Sequence, residues 1–103
     1  MNYRQGDVLV VPADQVTGTP VARIGDRIIL AEGEATGHAH AICDPEAELL
    51  HDPKTEARFL RVLSDAGVDL EHEEHATITI PRGDWRVLRQ VEATPWGLRR
   101  VAD

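Results

Sequence analysis

The sequence predicts a mainly β fold, a small barrel or sandwich of about eight short strands with one short C-terminal helix. Three observations predict it. Short apolar or alternating segments recur along the chain, Gly, Pro and Asp-Pro signals separate them, and only the last segment carries helix-start chemistry. The chain has 103 residues, which suits a single β domain over 1–103.

The first strand expected is the run Val8 to Val11, ended by Pro12. Pro20 and Gly25 punctuate the next stretch, and Arg27 to Ala31 carries Ile28, Ile29 and Leu30. Thr36 to Cys43 alternates and is closed by Asp44-Pro45; Glu48 to His51 is closed by Asp52-Pro53. Ala57 to Leu63 alternates again, with Leu60 and Val62 on one side and Phe59, Arg61 and Leu63 on the other. Gly67 restarts the chain for Val68 to His72. Thr77 to Ile80, the turn Arg82-Gly83-Asp84, and Trp85 to Glu92 predict a β-hairpin, with Trp85, Val87, Arg89 and Val91 sharing a face. The helix is expected at the end. Thr94 suits an N-cap, Pro95 the first helical position, and Arg99 and Arg100 the last turn, where cations favour the dipole.

Lys and Arg total 11 against 18 Asp and Glu, a formal charge of −7, which disfavours nucleic acid as a partner. Five of the 11 basic residues (Arg82, Arg86, Arg89, Arg99, Arg100) fall near the C-terminal end, close to Trp85 and Trp96. With this net charge they are read as core tryptophans and ion-pairing arginines. The single cysteine, Cys43, excludes an intrachain disulfide and multi-thiolate zinc sites, and is expected to be a buried, inert thiol. No apolar run reaches the roughly 18 residues a membrane span needs. Met1 to Asp7 shows no basic segment leading into an apolar stretch, so the expected setting is cytoplasmic.

The five histidines carry the functional reading. In Gly37-His38-Ala39-His40-Ala41-Ile42, strand alternation puts His38, His40 and Ile42 on one face, with the two imidazoles about 6.5–7 Å apart along the chain. In His72-Glu73-Glu74-His75, His72 shares the face of Val68 and Leu70. His75 turns inward only if Glu73-Glu74 bends or bulges. Imidazoles on apolar faces need partners, and a divalent transition ion supplies one. His38, His40, His72 and His75 are therefore the candidate ligands, and the metal is Fe, Zn, Ni or Mn. His51 follows no such pattern and is assigned to the surface.

Gly33-Glu34-Ala35-Thr36-Gly37-His38-Ala39-His40, followed by Glu46, resembles the first cupin motif, and Pro81-Arg82-Gly83 resembles the Pro-x-Gly of the second. The resemblance covers roughly residues 33 to 83. It implies a small β-barrel holding a divalent metal through His38, His40 and a later histidine. No histidine follows Pro81, so only His38 and His40 are carried over; His72 and His75 stand on alternation and spacing.

Glu34, Glu73 and Glu74 are the acids nearest the histidines. One could orient a ligand imidazole or act as a base on metal-bound water, Glu74 being the candidate catalytic residue. Two functions are expected. One is a metal-dependent enzyme acting on a small molecule. The other is a non-catalytic module whose histidines hold a structural metal or pack at a homo-oligomer interface. The expected partners are a small-molecule substrate and further copies of the chain, with no nucleic acid and no membrane.

Overall fold

The computed structural model describes residues 1–32, 37–94 and 97–100. Six strands form one antiparallel sheet in the order β1 (Tyr3–Gln5), β2 (Val8–Pro12), β10 (Gly83–Arg89), β7 (Arg58–Val62), β6 (Ala47–His51), β3 (Thr19–Pro20). Three further antiparallel pairs accompany it: β4 (Ile28–Glu32) with β5 (Ala39–Ile42), β8 (Val68–Leu70) with β9 (Ile78–Ile80), and β11 (Val91–Thr94) with β12 (Gly97–Arg100). β5 is joined to the end of β8 by a single bridge, in which Ala41 and Glu71 exchange two 2.9 Å hydrogen bonds.

Alternation decides which side chains meet. Val8, Val10, Leu49, Leu60, Val62, Trp85 and Val87 project from one face of the six-stranded sheet. They pack against Ile28 and Leu30 of β4, Ile42 of β5, Val68 and Leu70 of β8, and Ile80 of β9. Each fully buried aliphatic side chain contributes about 1.5–3 kcal/mol. The opposite face of β6 and β7 carries a smaller cluster of Leu50 and Phe59 with Ala57. Leu60 and Val62 thus separate from Phe59, as the sequence predicts.

Two local devices shape the end of the molecule where the histidines lie. Gln5 pairs with Val8 across the turn Gly6-Asp7. Gly6 has φ of +57° at the first central position, which a two-residue hairpin turn of type II′ requires. In β4 the pairing with β5 slips between Ile29 and Ala31, so Leu30 is an extra residue and both Leu30 and Ala31 point inward. The carbonyls at this bulge are satisfied by Arg58, whose guanidinium donates to Ile29 O (3.0 Å) and Leu30 O.

Several expectations are corrected. No helix occurs among the described residues; Thr94 closes β11 and pairs with Gly97, so the expected C-terminal helix is replaced by paired strands. A segment that short forms a marginal helix on its own, and Gly97 weakens it further. Pro95 and Trp96 lie outside the described residues. The expected hairpin across Arg82-Gly83-Asp84 is also absent. β9 pairs with β8, while β10 pairs with β2 and β7. Among the described residues the sheets do not close into the barrel that the cupin resemblance implies, because β1 and β3 are edges. Cys43 is exposed, not buried. It lies one residue past β5, beyond the Ala41–Glu71 bridge. No helix among the described residues is long and apolar enough to cross a membrane.

Candidate functional site

The four candidate histidines come from two segments. His38 immediately precedes β5 and His40 lies within it; His72 and His75 belong to the connection between β8 and β9. The bridge between Ala41 and Glu71 holds the two segments side by side. A second tie comes from Glu73, whose carboxylate accepts the Ala39 N–H (3.0 Å to Oε1, 3.4 Å to Oε2). That hydrogen bond is the main reason the Glu73 carboxyl sits below its ordinary range.

The rings gather closely. Centroid separations are 4.3 Å for His40–His72, 4.6 Å for His72–His75, 5.6 Å for His38–His72 and 5.8 Å for His40–His75. Residues 73–75 form the bend that alternation needs to bring His75 inward. His40 is completely buried and His72 nearly so, whereas His38 and His75 are half-buried, so the cluster runs from the interior to the surface. His75 Nε2 is nevertheless a buried atom with no hydrogen-bond partner among the described residues.

Each ring has a definite setting. His40 Nδ1 is 2.9 Å from Gln5 Oε1, and its Nε2 is 3.5 Å from Asp7 Oδ1. His72 Nδ1 accepts the Glu74 N–H at 3.0 Å, so the proton of the neutral ring sits on Nε2. His38 Nδ1 lies 3.3 Å from Glu74 Oε1, and the Glu74 side chain is 55% exposed, placing it at the outer rim. Glu34 lies outside the described residues. His51 is apart from the group, at the end of β6, with Nε2 2.9 Å from Glu56 Oε2.

Asp7 and Gln5 were not among the sequence candidates. Both are buried polar residues on the β1–β2 hairpin. Asp7 Oδ2 accepts from Arg89 Nε (2.9 Å) and Nη2 (2.5 Å), and Arg89 also donates to Glu32 O (3.1 Å). The chain of contacts Arg89, Asp7, His40, Gln5 therefore crosses from β10 through the β1–β2 turn to β5. The signal available in the sequence was Gly6-Asp7, a turn pair that would have placed the hairpin. It does not show that the aspartate points at His40.

As they stand, no group of three or more His, Cys, Asp and Glu side chains among the described residues is arranged as around a metal ion. Beside the cluster an open pocket of about 320 Å³ is walled by His72, Glu71, Glu73, Arg27, Cys43 and the small side chains of β5. Partial desolvation, and then the neighbouring Glu71 and Asp26 carboxylates, raise the Cys43 thiol, which makes it a poor nucleophile despite its exposure.

No curated protein and no solved structure matches this chain. A family model does. It covers residues 4–90 and therefore spans the whole network from Gln5 and Asp7 through the histidines to Arg89. The chain belongs to the family described as Domain of unknown function (DUF8820).

Proposed function

We propose that this protein binds one divalent transition metal between the segment at His38–His40 and the connection at His72–His75. The observation that carries the reading is the gathering of four imidazoles with ring separations of 4.3–5.8 Å. An imidazole bound at about 2.1 Å holds its centroid roughly 3.2 Å from the ion, so two such rings stand roughly 4.5–5.7 Å apart at ligand angles of about 90–125°. The buried carboxylate of Asp7 facing His40 adds a hard donor and a negative charge to the set, and imidazole with carboxylate suits Fe, Zn, Ni or Mn. The His-x-His spacing shared with the first cupin motif supports the same reading. Binding requires ring rotation, chiefly of His72, whose Nδ1 is held by the Glu74 amide.

Of the two functions such a site would serve, small-molecule chemistry is favoured by the pocket against His72 and by the Glu74 carboxylate beside His38 at the rim, placed as a proton acceptor where a bound ion would supply an acidified water. A purely structural ion is the second reading, favoured by the complete burial of His40.

Elemental analysis of protein purified without a histidine tag tests the proposal. Stoichiometric metal is expected in the wild type, with loss in His38→Ala and His75→Ala, whose half-buried positions leave the core intact. If those variants lose the ion and melt as the wild type does, the catalytic reading stands. If they lose the ion and unfold, the structural one does. Wild-type protein that takes up none of the four metals sinks both.

A further inference from the structure

We propose that Gln5 is a positioning residue that fixes Nε2 as the one nitrogen of His40 able to take a metal ion, and that ties both histidine segments to the β1–β2 hairpin. Gln5 is 3% exposed, and its amide is fully engaged. Nε2 donates to Leu70 O (2.8 Å) and to Ala76 O (2.9 Å). These two carbonyls identify the nitrogen end of the amide, because neither can donate. The remaining atom, Oε1, can only accept, so His40 Nδ1, 2.9 Å away, must carry a proton. That holds whether His40 is neutral or charged. Nε2, which faces Asp7, is then where a proton or a cation binds.

The two carbonyls have a further meaning. Leu70 ends β8, and Ala76 lies just beyond His75. The Gln5 amide therefore clamps both ends of the connection bearing His72 and His75, while its oxygen holds His40. Side chains that orient ligand imidazoles in this way tune affinity without touching the ion. The choice of Nε2 as ligand atom rests on the metal reading; the protonation of Nδ1 does not.

Long-range proton–nitrogen NMR of the metal-free protein reads the tautomer directly. His40 with a protonated Nδ1 is expected. Gln5→Met keeps the approximate volume and removes the amide; it is expected to abolish the Nδ1–H preference and to weaken Co²⁺ binding about 10–100-fold. Gln5→Glu retains an acceptor oxygen and is expected to restore the tautomer. A bare Nδ1 on His40 in the wild type overturns the proposal without any variant having to fold, and so does an unchanged tautomer in folded Gln5→Met. Absence of Co²⁺ binding in the wild type would sink the metal reading, while the tautomer result would still decide the role of Gln5.

Discussion

His40 and His51 sit on short strands of similar length, and the structure treats them in opposite ways. His40 is in the interior, with Nδ1 hydrogen-bonded to Gln5 and Nε2 facing the Asp7 carboxylate at 3.5 Å. His51 ends its strand with its side chain 35% exposed and one glutamate beside it. The residue type is the same; the difference is what the rest of the chain brings to it. An imidazole that meets water needs no arrangement around it. One that is sealed in needs a partner at each nitrogen, and those partners come from β1 and its turn, far away in sequence.

The comparison can be broken most forcefully at Asp7. Asp7→Ala leaves the Arg89 guanidinium and His40 Nε2 without their buried carboxylate, and is expected to cost about 3–5 kcal/mol, measured by urea denaturation. A loss under ~1 kcal/mol would mean that water replaces the carboxylate. Leu60→Ala, at the centre of the aliphatic core, is expected to cost about 2–5 kcal/mol with no specific effect on metal uptake. At the other histidine the effects shrink. Glu56→Gln removes the partner of His51 and is expected to change stability by at most ~0.5 kcal/mol. His51→Ala should leave metal content unchanged. If it lowers metal content, the contrast between the two histidines fails.

The smallest effect is one of pH. The Thr17 hydroxyl (2.6 Å) and then the Lys54 N–H (2.9 Å) donate to Asp52 and hold its carboxyl below the ordinary value of 3.8. Since the folded value is the lower one, the stabilisation is complete above 3.8 and disappears as pH falls through the folded value. Thr17→Val is expected to flatten that acid loss slightly. Melting curves collected between neutral and acid pH would show it, and parallel curves for the two proteins would contradict it.

Much of the strand layout was legible because burial on one face writes a period of two into the sequence. β7 and β10 were readable in that way, while β2, β4 and β6 were readable as short apolar segments bounded by Gly, Pro or Asp-Pro signals. β1 was not: Tyr3-Arg4-Gln5 has no apolar alternation and earns its place by pairing with β2. The hairpin expected after Ile80 failed for a related reason. Alternation says that Trp85 and Val87 face a core, but not which strands lie beside them, and β10 lies between β2 and β7. In the candidate site, His72 was placed by its position on the face of Val68 and Leu70, whereas alternation did not bring His75 inward and left it conditional on a bend, which the structure has at 73–75. Gln5 and Asp7 carry no local mark of their burial. Their roles arise from contacts far along the chain, Gln5 with His40 at a separation of 35 and with Leu70 at 65, and Asp7 with Arg89 at 82.

Those separations bear on when the site comes into being during folding. The amide of Gln5 waits for chain at 40, 70 and 76, and the Asp7 carboxylate for Arg89, 82 positions downstream. Contacts of such range close last, after nearer segments have found one another. A ribosome-bound or partly denatured chain would thus lack the histidine arrangement, which would arrive together with the finished native state.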